Sequence, residues 1–152
     1  MEQYFTHQKA MIFKDRSIAR KIMNETDPVK MKKLGRKIRK FSKSTWMKEA
    51  VPLVYRGNYA KFKQNSNLLR YLLNTRGKLL VEASPYDLIW GAGKSANQLR
   101  LDDEFPGANC LGYVLTELRE DILEEEGIDS DYKLKWTIDN MFKNPSLKKQ
   151  LK

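Results

Sequence analysis

The stretch Glu82-Ala83-Ser84-Pro85-Tyr86-Asp87-Leu88-Ile89-Trp90-Gly91-Ala92-Gly93 decides how this chain is read. Ahead of it, Leu79-Leu80-Val81 is a short apolar run bounded by turn residues, which predicts a strand. After it, the glycines cannot continue a regular element without cost. A strand ending in an irregular loop adds a small β component to a chain that is otherwise helical. The loop joins a carboxylate, two aromatic rings and flexible backbone, a mixture suited to a ligand pocket. A plainer reading stands beside it, in which Ser84-Pro85-Tyr86-Asp87 is a turn, Asp87 caps the next segment and Trp90 is core. Gly93-Lys94-Ser95 ends like a phosphate-binding loop, but the position five before Gly93 is Leu88, which argues against that motif.

Moving toward the N-terminus, Leu68, Leu69, Leu72 and Leu73 predict a helix stopped at Gly77, a residue suited to a left-handed C-cap. A longer helical run starts at Ser44-Thr45-Trp46 and reaches about Gln64, and Pro52 is expected to end or kink it. Asp27-Pro28 is a helix start, with Asp27 as N-cap and Pro28 in the first turn. Met31, Leu34, Ile38 and Phe41 follow at spacings of three, four and three and make one apolar face. Lys30, Lys33, Lys37 and Lys40 are expected along the other side of the same helix. Another helix spans about Arg16 to Asn24. The first covers Glu2 to Lys14, with Tyr4, Phe5, Gln8, Met11 and Ile12 on one stripe. Glu2 and Lys9 stand about two turns apart on nearly one line of it. They are either an acid and an amine facing one site or exposed charges on a surface helix.

Toward the C-terminus, residues 94–107 read as a polar loop. Its Asp102-Asp103-Glu104 is either solvated surface or a set of ligands for a hard cation, and we take no metal site from it. Leu111, Val114, Leu115, Leu118 and Ile122 predict a strong helix from about Ala108 to Glu126, stopped by Gly127. The charged residues 127–152 are expected to be an extension, with Trp136, Ile138, Met141 and Phe142 in one more packing helix. The division is thus a main domain over 1–126 and this extension over 127–152.

A chain of 152 residues with 41% hydrophobic content is long and apolar enough to bury a core. Cys110 is the single cysteine, so an intramolecular disulfide is excluded. A lone thiol and a lone His7 argue against a structural zinc site and for a reducing, cytoplasmic setting. No apolar run reaches membrane-spanning length. The net charge of +10 is uneven: residues 1–80 hold 20 Lys and Arg against five Asp and Glu, and the remainder is net acidic. Nine basic and no acidic residues fall between Lys30 and Lys48. Such a block either attracts polyanions, releasing their counterions, or is a solvated face.

Several segments together resemble the NADAR family, which includes the YbiA-like N-glycosidases. They are Glu2-Gln3-Tyr4-Phe5 with Gln8-Lys9-Ala10, Asp27-Pro28, Leu34-Gly35-Arg36, Trp46, and Lys61-Phe62-Lys63-Gln64-Asn65. Leu79 through Asp87, Ile89-Trp90-Gly91-Ala92-Gly93 and Gly107-Ala108-Asn109-Cys110-Leu111-Gly112 complete the set. The resemblance covers roughly residues 1–123. It implies a mainly α-helical domain with a small strand component, no metal or other cofactor, and hydrolysis of an N-glycosidic bond to ribose. Two substrate classes are implied: ribosylated pyrimidine intermediates of riboflavin synthesis, and ADP-ribosylated guanine in nucleic acid. It also implies a segment ahead of Glu2 that this sequence does not contain, so part of the pocket wall is expected to be absent or supplied from elsewhere.

Carried over by position, the resemblance makes Glu2, Lys9 and Asp87 catalytic candidates. Substrate contacts are expected from Trp46, Asn65, Ser84, Trp90, Gly91, Gly93 and Asn109, with phosphate held by Lys33, Arg36, Lys37 and Lys40. Cleaving a ribose C1–N bond requires protonation of the leaving nitrogen and relief of positive charge on the sugar, work suited to carboxylates. A lysine of lowered pKa offers a Schiff-base route instead. The basic N-terminal half tilts the expectation toward ADP-ribosylated nucleic acid, as in reversal of a toxin that modifies DNA. A phosphorylated ribosyl metabolite, or a binding module without turnover, are the alternatives.

Overall fold

The computed structural model describes residues 1–100, 104–130 and 132–152. By contacts the chain forms two compact units, residues 1–61 and 62–152. In chain order the helices are α1 (Glu2–Ile12), α2 (Arg16–Met23), α3 (Pro28–Gly35), α4 (Lys43–Lys63), α5 (Ser66–Leu73), α6 (Cys110–Glu125) and α7 (Pro145–Leu151), with 3-10 turns at Ala96–Gln98 and Met141–Lys143. No helix among the described residues is long and apolar enough to cross a membrane.

In the first unit, α1 packs on α2 and α3 over Ala10, Ala19, Ile22 and Ile38, with Phe13, Ile18 and Leu34 against them. Side chains bind the ends of these short helices together. Asp15 caps α2 by accepting from Ile18 N, and Asp27 caps α3 by accepting from Val29 N. Gln3 Nε2 donates to the carbonyls of Ile22, Met23 and Glu25 at 3.1–3.2 Å, satisfying the C-terminal end of α2 from α1. Helices α1 and α3 approach closely because residue 35 has no side chain: a Cβ there would lie 2.6 Å from Thr6 Cγ2.

Two expectations for this half are corrected. Helix α3 ends at Gly35, so Lys37 and Lys40 lie beyond it rather than along its face, and Lys40 takes a left-handed φ of 57°. The apolar spacing persists only as far as the buried Ile38, and Phe41 is exposed. Of the two outcomes expected at Pro52, an end to the helix is excluded, because α4 continues through it over 21 residues. The proline forfeits one hydrogen bond, a loss on the order of 3 kcal/mol. Burial of Trp46, Met47, Ala50, Val51, Leu53 and Val54 along both sides of it offsets that loss, at ~25 cal/mol per Å² of apolar surface.

The second unit is organised on α6, whose Cys110, Val114, Leu118, Ile122 and Leu123 are buried. Arg119, also fully buried, donates from Nη1 to the carbonyls of Thr75 and Lys78 at 2.6 and 2.7 Å, fixing the chain that leaves α5. The predicted strand is corrected too: no strand is found among the described residues. Residues 79–82 run beside α6, where side chains replace a ladder. Leu80 N donates to Thr116 Oγ1 at 3.0 Å, Asn109 Nδ2 donates to Leu80 O at 3.0 Å, and Glu82 N donates to Asn109 Oδ1 at 2.9 Å. With its backbone groups met in this way, the apolar run has no need of a β partner. Glycine at 112 leaves room for it, since a Cβ there would meet Leu80 O at 2.1 Å.

The C-terminal residues contribute less helix than expected. Trp136 and Ile138 precede the short 3-10 turn, and regular helix begins only at Pro145, with Asn144 as its cap. Asn144 Nδ2 donates to Ala108 O at 3.1 Å, and Ile138 N donates to Glu117 Oε2 at 2.7 Å, so this segment is bonded to α6 and the turn before it.

Candidate functional site

Helix α1 presents Glu2, Phe5, Thr6 and Lys9 at helical spacing, so one face carries an acid, a ring, a hydroxyl and an amine. That face, the last turn of α3 with Lys32, Gly35 and Arg36, and Trp46 of α4 line an open pocket of about 160 Å³. Four residues singled out in the sequence, Glu2, Lys9, Arg36 and Trp46, are brought together here.

The pocket's chemistry follows from its neighbours. Lys9 Nζ lies 4.3 Å from the centroid of Phe41 and 5.6 Å from that of Trp46. Burial lowers the Lys9 pKa from its ordinary 10.5, while the ring faces beside it supply the ammonium with cation–π contacts. Trp46 is held in turn by Phe5, which meets it edge-on at 4.9 Å. Glu2 Oε2 lies 3.5 Å from Lys32 Nζ, and the Thr6 hydroxyl shares its proton between Glu2 O at 2.8 Å and Glu2 Oε1 at 3.3 Å. The pocket wall thus carries an amine of lowered pKa, a carboxylate and two further cations.

Lys32, Phe5, Thr6 and Phe41 escaped the sequence reading as site residues. Three of them carried a usable signal: Phe5 and Thr6 fall three and four residues after Glu2, and Lys32 one turn before Arg36. Phe41 had none, because it reaches Lys9 from an irregular segment. Lys33, Lys37 and Lys40 are exposed and do not line this pocket.

The second unit holds the other predicted residues. Asp87 Oδ1 accepts from Ile89 N at 2.9 Å and Trp90 N at 2.8 Å, the turn-bracing role anticipated for it. The carbonyls of Leu88, Ile89, Trp90 and Gly91 accept from the N–H groups of Ala108, Cys110, Leu111 and Asn109, so this loop caps α6. Gly91 is buried where a Cβ would meet Asp87 O at 2.8 Å, and Gly93 takes φ +72°. Ser84 is half-buried and its carbonyl accepts from Gly93 N at 3.0 Å. Trp90 is half-buried, and Asn65 is exposed at the start of α5. Asn109 is fully buried, and both polar atoms of its side chain are engaged with residues 80 and 82. Burial, with the charge of Asp87 adding to it, pushes the Cys110 thiol up to about 12, so it is not a nucleophile at neutral pH. Asp102 and Asp103 lie outside the described residues, among which no acidic, histidine or cysteine cluster suits a metal.

Comparison with known proteins identifies the family of the sequence. The model of the NADAR domain matches residues 1–123. An N-glycosidase of Acanthamoeba polyphaga mimivirus is 43% identical over 122 residues, which are 79% of this chain and 72% of that protein. Protein irg-1 of Caenorhabditis elegans is 40% identical over 134 residues, 86% of this chain and 63% of the worm protein. The chloroplastic riboflavin biosynthesis protein PYRR of Zea mays is 34% identical over 112 residues, 71% of this chain but 16% of that much longer protein.

Proposed function

The chain belongs to the NADAR family, and from that premise we propose that it is a hydrolase of N-glycosyl bonds, removing ADP-ribose from guanine bases of nucleic acid by cleaving the ribose C1–N bond. The observation that carries the reading is the pocket on α1: Lys9 with its lowered pKa against two rings, Glu2 on the same helix face, and Lys32 and Arg36 in the wall. The mimivirus relative bears the name of an N-glycosidase. The exposed Lys30, Lys33, Lys37 and Lys40 of the same unit favour a polyanionic substrate over a small metabolite.

Guanine joined through an exocyclic amine makes ribose C1 an N,O-acetal carbon, bonded to that nitrogen and to the ring oxygen. The nitrogen lone pair expels the ring oxygen, which takes up a proton, and a C1 imine forms. Neutral Lys9 Nζ adds to C1, the protonated guanine amine departs, and a Schiff base joins Lys9 to the opened sugar. Water adds at C1, the Lys9 amine leaves, and the sugar closes, so that one water is consumed in total. Glu2, on the same pocket wall as Lys9, moves protons at C1. Trp46 packs on the base or sugar.

The test is incubation with an oligonucleotide carrying ADP-ribosyl-guanine, followed by mass spectrometry and by borohydride trapping. Release of unmodified oligonucleotide, with a reduced adduct on Lys9, is the expected result. Release without an adduct would leave the carboxylates to do the chemistry alone. A second reading, hydrolysis of a phosphorylated ribosylaminopyrimidine of riboflavin synthesis, draws on the maize relative's name. It predicts turnover of that metabolite and none of the oligonucleotide. Salt-sensitive binding without product would instead mark a binding module.

A further inference from the structure

We propose that Lys32 and Arg36 form a phosphoryl subsite of the α1–α3 pocket, filled by the diphosphate of ADP-ribose, and that Lys32 exchanges Glu2 for phosphate as the ligand enters. Both side chains line the pocket, one helical turn apart at the end of α3. That spacing offers two adjacent phosphoryl groups one cation each.

The two arginines of Arg36-Lys37-Ile38-Arg39 are differently committed. Arg39 donates from N, Nε and Nη2 to the Asp15 carboxylate, each at 3.1 Å, and so belongs to the packing of the unit. Arg36 pairs with no carboxylate among the described residues, and its guanidinium fork suits a phosphate. Among the described residues Lys32 has only Glu2 as an ionic partner, at 3.5 Å, and its side chain is 61% exposed. An exposed pair of this kind is weak, so a phosphoryl group with its larger charge displaces the carboxylate readily. The displacement leaves Glu2 beside Lys9 without its cation. A bound phosphate would thereby release the carboxylate that the reaction uses.

The proposal takes ADP-ribose as ligand from the functional reading above, but its test is equilibrium binding rather than product release, so either can fail without the other. Titration calorimetry with ADP-ribose is expected to show Lys32→Ala and Arg36→Ala binding about tenfold or more weakly than the unmodified protein. Lys21→Ala, an exposed charge on α2, is expected to change affinity less than twofold. Ribose 5-phosphate should lose affinity in one of the two pocket variants only. Glu2→Gln should tighten ADP-ribose several-fold in the unmodified background and not at all in the Lys32→Ala background.

Unchanged ADP-ribose affinity in Lys32→Ala and Arg36→Ala, or an equal loss in Lys21→Ala, overturns the subsite. Loss of ribose 5-phosphate affinity in both pocket variants overturns its assignment to a diphosphate. Tightening by Glu2→Gln that persists without Lys32 overturns the exchange, since it would then be simple repulsion between carboxylate and phosphate.

Discussion

The Asp15 carboxylate, 2% exposed, sits between the start of α2 and Arg39, 24 residues further on, and holds the guanidinium through Nε and Nη2 at 3.1 Å. These bonds depress the Asp15 pKa from 3.8 to about 2. A carboxyl group lowered on folding adds stability above its unfolded pKa and loses it as pH falls through the folded one. Melting temperature is therefore expected to fall between pH 4 and pH 2. Asp15→Asn, which still caps α2, should melt several degrees lower at pH 6 and converge with the unmodified protein near pH 2. Equal melting temperatures at pH 6 would dismiss the pair as a support of the first unit.

Lys9 tests the chemistry most directly. Because burial lowers its pKa, the neutral amine becomes available at a lower pH than that of a free lysine. The rate of borohydride-trapped adduct formation should rise with pH through a midpoint below 10.5. Lys9→Ala is expected to lose on the order of 100-fold or more in kcat. Full activity in that variant would eliminate the Schiff-base route.

Gly35 and Thr6 set how closely α1 and α3 approach. Gly35→Ala places a methyl group 2.6 Å from Thr6 Cγ2, a clash expected to destabilise by about 1–3 kcal/mol in urea unfolding. Thr6→Ser removes that methyl and keeps the hydroxyl bonded to Glu2, so the double variant should recover most of the loss. Absence of recovery would mean that the strain lies elsewhere.

Asn109 replaces a missing strand. Asn109→Ala removes one donor and one acceptor serving Leu80 O and Glu82 N, and is expected to cost about 2–4 kcal/mol by the same measurement. Asn109→Asp keeps the acceptor but sets a buried carboxylate oxygen against Leu80 O, and is expected to cost at least as much. A loss under 1 kcal/mol would show that water takes over these groups.

The exposed lysines discriminate between substrate classes. Changing Lys33, Lys37 and Lys40 together to Ala should reduce the dependence of log KM on log salt by up to about 2 for a single-stranded substrate. A small metabolite would register almost nothing. No change with the oligonucleotide would remove these residues from its binding path.

Local chemistry was legible in the sequence wherever the deciding contact lay within a few residues. Asp27-Pro28 announced α3, Gly127 took the left-handed φ expected of the stop of α6, and helical spacing put Glu2 and Lys9 on one side of α1; Gly77 is left-handed as well, but α5 already ends at Leu73 with Asn74 as its C-cap. The motif residues pointed to the NADAR family, whose domain model matches residues 1–123. What the sequence could not decide was set by partners far along the chain. Leu79-Leu80-Val81 has the composition of a strand, but Asn109 and Thr116, 29 and 36 residues beyond Leu80, meet its backbone groups instead. Pro52 is a helix breaker by local rule, overridden by the apolar stripe that α4 buries on both sides of it. The lowered pKa of Lys9 likewise depends on burial and on the rings of Phe41 and Trp46 beside it, a setting that only tertiary packing creates. Periodicity and capping are properties of neighbouring residues, whereas desolvation and the satisfaction of backbone hydrogen bonds depend on whatever the fold brings alongside.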